Sequence, residues 1–205
     1  MKITKLTEQD FTTSTWQGGT TTQLFIYPPG ANYSKRDFLF RLSSATVDTE
    51  KSEFTVLPGI QRFIAPLTGN LKISHDEKYF TKLKPYEIYG FDGGAKTISM
   101  GKVRDFNVMV QENAEASVKN FFLNSHSSLK FGIFKNEIGW LFSYNNSCNL
   151  NMGTKNNTSI NLNLDKMTLI IFEYEDISAS EEKEEIFISA DGNANLFYGK
   201  ILKIQ

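Results

Sequence analysis

Along most of the chain apolar residues return at every second position, and Phe, Tyr, Ile, Val and Thr are plentiful. Successive side chains of an extended chain point to opposite faces, so this two-residue period marks strands with one buried side. It predicts strands over residues 23–27, 38–47, 62–67, 71–74, 96–100, 106–111, 121–124, 129–134, 140–144, 167–174, 186–189 and 196–204. Turn chemistry separates them, at Pro28-Pro29-Gly30, Pro58-Gly59, Thr68-Gly69-Asn70, Asp92-Gly93-Gly94, Asn156-Asn157 and Asp191-Gly192-Asn193. Only residues 113–120 read as helical. Many short strands at regular spacing predict an all-β chain built as a sandwich or barrel.

A faint repeat divides the chain. Residues 83–91 and 164–172 share a leucine, a polar turn and an apolar strand ending in Phe. Duplicated β-units produce such echoes and would place a boundary near residues 114–118. The predicted units are residues 1–113 and 114–205. They differ in character: every arginine (Arg36, Arg41, Arg62, Arg104) lies in the first, and residues 113–205 have neither arginine nor proline. A planar guanidinium suits recognition of carboxylates and phosphates, so chemistry is expected in the first unit. The acidic run 173–185 reads as a solvated loop.

Composition excludes several classes. The 205 residues carry 22 basic and 23 acidic side chains, a net charge of −1, which gives no general drive toward nucleic acid. The longest apolar stretch, 167–172, is far below the roughly 18 residues of a membrane span. Residues 1–10 lack the apolar core of a signal peptide. Cys148 is the only cysteine, which forbids an intrachain disulfide and is compatible with a reducing cytoplasm, the expected location. His75 and His126 each sit in polar surroundings and read as solvated turn residues, not catalytic bases. No metal or other cofactor is expected, and no phosphate loop, zinc spacing or nucleophile elbow is present.

Strand parity then singles out three polar faces. Arg41, Ser43 and Ala45 share a face against Phe38, Phe40 and Leu42. Asp105, Asn107, Met109 and Gln111 oppose Phe106, Val108 and Val110, and Thr21 and Gln23 oppose Thr22 and Leu24. These faces carry few charges, unlike a Lys/Glu-coated exterior, which favours an enclosed polar cavity over a sheet with a merely polar outer side. Taken alone, Trp16 reads as core, with a pocket lid as the alternative, and Arg62 as half of a surface ion pair.

The same residues carry a family resemblance. Trp16, then Gly19-Thr20-Thr21-Thr22-Gln23-Leu24 and Phe40-Arg41-Leu42-Ser43-Ser44-Ala45, resemble segments of the HutD/Ves family of cupin-fold proteins. Phe54-Thr55-Val56-Leu57-Pro58-Gly59-Ile60-Gln61-Arg62 and Asp105-Phe106-Asn107-Val108-Met109 look like two further segments, in the same order. The resemblance implies a bicupin, two β-barrel units in one chain, with a metal-free small-molecule pocket in the first. It implies ligand contacts at Trp16, Thr21, Gln23, Arg41, Ser43, Arg62, Asp105 and Asn107. It also implies a regulatory role in histidine utilisation or amino-acid metabolism, through a small carboxylate such as formylglutamate. Gln23 stands where the family usually has Glu, and Gln111 where it has Arg. The other function class is a metal-free isomerase or hydrolase using Asp105 as acid–base. Binding is the favoured class, because no histidine is placed to partner that carboxylate. The partner expected is a small carboxylate, with no nucleic acid and no membrane, and a homodimer left open.

Overall fold

In the computed structural model, which describes residues 1–146, 148–154, 159–174 and 183–202, strands dominate and every ladder is antiparallel. The chain divides into two compact units, Asp10–Ala114 and a second made of Met1–Gln9 with Glu115–Gln205. The first nine residues join the second unit because Lys2–Leu6 pairs with Thr168–Glu173.

The Asp10–Ala114 unit has two sheets. The larger runs, in spatial order, Thr12–Trp16, Gly19–Tyr27, Phe40–Val47, Val103–Gln111, Ile60–Thr68 and Tyr89–Asp92. The smaller runs Lys51–Glu53, Ile98–Met100, Leu71–Ser74 and Thr81–Leu83. In the second unit one sheet runs Lys2–Leu6, Thr168–Glu173, Glu137–Ser143, Ala194–Leu202 and Ala116–Leu123. The other runs Ser128–Phe134, Lys183–Ala190, Cys148–Thr154 and Ser159–Leu164.

From Phe40 onward the two units use the same eight-strand plan in the same chain order. The echo seen in the sequence marks one matching corner of it. Leu83 and Leu164 each end a strand; three residues on, Tyr86 and Met167 both take a positive φ, 68° and 58°. In each turn the backbone N–H one residue after the leucine is held by a side chain four residues after it. Lys84 donates to Glu87 Oε2 at 3.0 Å, and Asp165 to Thr168 Oγ1 at 3.2 Å.

Residues 116–123, partly read as helix, form a strand that pairs with Ala194–Leu202 at all eight positions. A full ladder with a neighbour outweighs the weak local helix preference of this segment. The acidic run is also more structured than expected: Glu173 closes one strand and Lys183 opens another, with 175–182 outside the described residues. Asn156-Asn157 and residues 203–204 likewise lie outside them.

Two irregularities set which side chains face inward on the larger sheet. A bulge at Leu24 lets Gln23 pair with Ser43 and Phe25 with Leu42, so side-chain parity reverses partway along Gly19–Tyr27. A second shift, where Arg104 meets Thr68 but Asp105 meets Pro66, gives that proline a place beyond the ladder with Tyr89–Asp92. One face of this sheet buries Phe40, Leu42, Phe106 and Val108 at 0–1% exposure, with the rings of Phe25 and Tyr27 against Phe40. The other face is polar in its middle.

Candidate functional site

Three rows of paired residues cross the middle of the larger sheet on that polar face. Arg41 pairs with Met109, which pairs with Arg62. Gln23, Ser43, Asn107 and Ile64 form the next row, and Thr21, Ala45, Asp105 and Pro66 the third. Same-face neighbours across antiparallel strands lie close, so the register alone gathers side chains from sequence positions 21 to 109. Of these, Thr21, Arg41, Ser43, Ala45, Arg62, Asp105, Asn107 and Met109 line a cavity of about 330 Å³ with Ser14, Trp16, Tyr33, Glu53 and Phe54.

The polar groups on its sheet wall, Arg41, Ser43, Arg62, Asp105 and Asn107, are buried and poorly matched to one another. Arg41 Nε donates to Gln23 Oε1 at 2.8 Å and Nη1 to Ser43 Oγ at 3.2 Å, while the guanidinium lies 4.4 Å from the centre of the Tyr33 ring. Arg62 packs against two adjoining aromatics, 4.7 Å from the Phe54 ring and 5.2 Å from Phe91, and its buried Nε has no hydrogen-bond partner. Among the described residues neither arginine makes an ion pair. Burial lowers both pKa values, Arg62 to about 10, with Tyr33 and Asp105 opposing the fall and Arg41 adding to it. Both stay cationic at neutral pH. An aromatic wall softens the cost of burying a guanidinium but leaves its N–H groups needing acceptors.

Asp105 is the reverse case. Its Oδ1 accepts a long 3.4 Å bond from the Ala45 N–H, and neither Arg41 nor Arg62 pairs with it. Burial raises its pKa to about 7, opposed by the Ala45 bond and by the charges of Arg62 and Arg104. Beside it the Asn107 side-chain oxygen is buried without a partner. Orphaned polar atoms are rare in a packed interior, and here two neighbouring strands supply them, Arg62 Nε and Asn107 Oδ1, around one space.

Seven of the eight residues singled out in the sequence therefore line one cavity: Trp16, Thr21, Arg41, Ser43, Arg62, Asp105 and Asn107. Gln23 stands behind it, holding Arg41. Two expectations change. Trp16 is not core; the residue is 39% exposed at the cavity edge and its indole lies over Gly18, where any side chain would collide with the ring. Arg62 is not a surface ion-pair residue, being 5% exposed. Gln111 points elsewhere and donates to the Arg36 carbonyl at 3.0 Å, securing the loop that carries Tyr33. Tyr33 itself carries no strand period, and only its placement over Arg41 reveals it. His75 is exposed in a bend, as read, yet bonds Thr97 Oγ1 at 2.9 Å and Tyr89 Oη at 3.1 Å. Among the described residues no group of three His, Cys, Asp or Glu side chains is placed to hold a metal ion.

Comparison with known proteins places this geometry. The sequence matches no curated protein at a significant level. Among solved structures the chain is similar to PA5104 from Pseudomonas aeruginosa PAO1, a conserved protein of unknown function. The TM-score is 0.82 at 18% identity, covering 99% of this chain and 100% of that one. It is similar to HutD from Pseudomonas fluorescens SBW25, with a TM-score of 0.74 at 16% identity and full coverage of both chains. Oxalate decarboxylase from Bacillus subtilis is more distant, with a TM-score of 0.65 at 6% identity, covering 97% of this chain and 76% of that one. These likenesses show an all-β fold of cupin type. The HutD family model matches residues 8–188, and the chain belongs to the HutD family.

Proposed function

We propose that this protein is a metal-free bicupin that binds a small carboxylate of the formylglutamate kind in the cavity of its first unit. Its role would be regulatory, in the cytoplasm, in histidine utilisation or amino-acid metabolism. One observation carries the reading: two buried guanidiniums, Arg41 and Arg62, face a single cavity and among the described residues neither has a carboxylate partner. Unpaired buried charge is costly, and an entering carboxylate would supply the acceptors both groups lack. Ser43 and Asn107 add a hydroxyl and an amide for the rest of such a molecule. The repeated eight-strand plan supports the bicupin reading, and membership of the HutD family supports the metabolic setting.

Asp105 favours a second reading, a hydrolase or isomerase, because a carboxyl with a pKa of about 7 is tuned for proton transfer. Against it, the cavity has no histidine, and its other carboxylate, Glu53, is exposed. N-formylglutamate at excess separates the two. Saturable calorimetric binding at one site per chain, with the ligand recovered intact, is the expected result. Release of formate over many turnovers would make the protein an enzyme, and absence of binding would remove the carboxylate reading.

A further inference from the structure

The cavity holds a carboxyl group among the cations that would bind an anion, and the two must share the same charges. Asp105 projects from Val103–Gln111 into the space that Arg41 and Arg62 also face. Each element packed around it contributes a different group. Phe40–Val47 contributes the Ala45 N–H, at 3.4 Å, and Arg41. Ile60–Thr68 contributes Arg62, and the loop before Phe40 contributes the Tyr33 phenol. Lys51–Glu53 brings Glu53, which is exposed. Its own strand brings Arg104, whose Nε donates to Ser44 Oγ at 3.0 Å. Thr12–Trp16 and Gly19–Tyr27 bring only neutral side chains, Ser14, Trp16 and Thr21. Among the described residues no group forms an ion pair with Asp105, and its second oxygen accepts no hydrogen bond.

We infer that Asp105 takes up a proton when a carboxylate enters this cavity, and that the resulting O–H holds the bound anion. This rests on the carboxylate-binding reading above and gives that site its pH response. Arg62 is the cavity charge that favours the ionised form of Asp105. A ligand carboxylate paired with Arg62 cancels that field and adds a like charge of its own, so both effects push Asp105 toward its neutral form. The proton comes from solvent and stays on the carboxyl, which changes from a competing anion into a donor; no other bond is made or broken. A pKa of about 7 in the empty cavity sets the window. Below it Asp105 is already protonated and binding takes up nothing. Above it each anion bound brings in close to one proton, and affinity falls by up to about tenfold per pH unit. The cavity thereby reads pH and anion concentration together, and it favours ligands that offer a free acceptor next to the group held by the arginines.

The test is calorimetric titration of N-formylglutamate into the full chain at pH 5.5 and pH 8.0, in two cationic amine buffers of different ionisation enthalpy at each pH. The expected result is uptake of nearly one proton per ligand at pH 8.0 and nearly none at pH 5.5. Asp105→Asn should bind with no proton uptake and with an affinity that is flat from pH 5.5 to 8.0. The wild-type proton count stands by itself if that variant fails to fold. Binding with no proton uptake at pH 8.0, or an Asp105→Asn variant that keeps the wild-type pH slope, overturns the inference and leaves carboxylate binding intact. Failure of the wild type to bind at either pH overturns the carboxylate reading and this inference with it.

Discussion

Where the first unit has Arg62 opposite Phe91, the second has Gly139 opposite Phe172. Following the ladders outward, Met109 corresponds to Lys200, Asn107 to Tyr198, Asp105 to Leu196 and Ile64 to Leu141. The shared strand plan is thus filled in two ways. On this face of the second unit Leu141, Leu196, Tyr198 and Phe172 join a single apolar cluster with Leu150, Ile170 and Ile188. The ring of Tyr198 lies 4.2 Å from that of Phe131, where the first unit keeps a small amide. The buried carboxylate on that face is paired. Glu137 accepts from Lys200 at 2.6 Å and from the Phe134 N–H at 2.9 Å, although the Tyr198 hydroxyl is buried without a hydrogen bond. In the first unit the same positions carry a guanidinium, a carboxyl and an amide that leave donors and acceptors open into a cavity. The backbone plan supports either interior, so the site belongs to a handful of side chains and not to the fold.

That contrast can be broken at its packed side first. Phe172→Ala removes a fully buried ring that meets Phe131 edge-on at 5.9 Å, and should cost about 3–5 kcal/mol in urea unfolding. A loss below 1 kcal/mol would mean that the second interior is not close-packed.

Asp105→Asn sharpens the hollow side. The native pKa of Asp105, about 7, lies above its ordinary value of 3.8. Between those two pH values the native state keeps a proton that the unfolded chain has released, so stability falls as pH rises through the window and is level above it. The asparagine variant lacks this loss. It should gain on the wild type by up to about 4 kcal/mol from pH 4 to pH 8, read as a growing difference in unfolding midpoint. A constant difference across that range would mean that Asp105 is not held in its neutral form.

The smallest effect lies outside both interiors. Glu77 meets Lys51 at 3.5 Å and Lys96 at 3.0 Å with all three side chains well exposed, and Glu77→Gln should leave the Tm unchanged within error. A clear drop would show that surface charge, and not the two interiors, dominates stability.

Much of the cavity was legible from strand parity. Arg41 with Ser43, and Asp105 with Asn107, alternate against buried aromatic and aliphatic residues, and a shared face needs no knowledge of the partner strand. Alternation cannot announce a bulge, so the reversal at Leu24 was hidden: Ile26, not Phe25, shares the row of Arg41. Tyr33 lay beyond reach because it comes from a loop, where position follows from local bonds such as Asn32 N–H to Asp37 at 2.6 Å. The strands at Lys51–Glu53 and Thr81–Leu83 are three residues each, too short for a period to show. The fold class followed from pattern, whereas the matching of the two units emerged only from sheet order, since the echo at 83–91 and 164–172 covers one corner.

The central claim is that Arg41 and Arg62 form an anion site and not part of the scaffold. Calorimetry of N-formylglutamate with the wild type, Arg41→Met and Arg62→Met tests it most directly, with a thermal melt of each protein alongside. One ligand per chain should bind the wild type, and each substitution should cost about 2–5 kcal/mol of binding, because the bound carboxylate would lose a paired donor in a desolvated site. Arg62→Met should melt no lower than the wild type, since removing an unpaired buried charge relieves the native state. Unchanged binding in both variants, or unfolding of both, would contradict the account and return the two arginines to the scaffold.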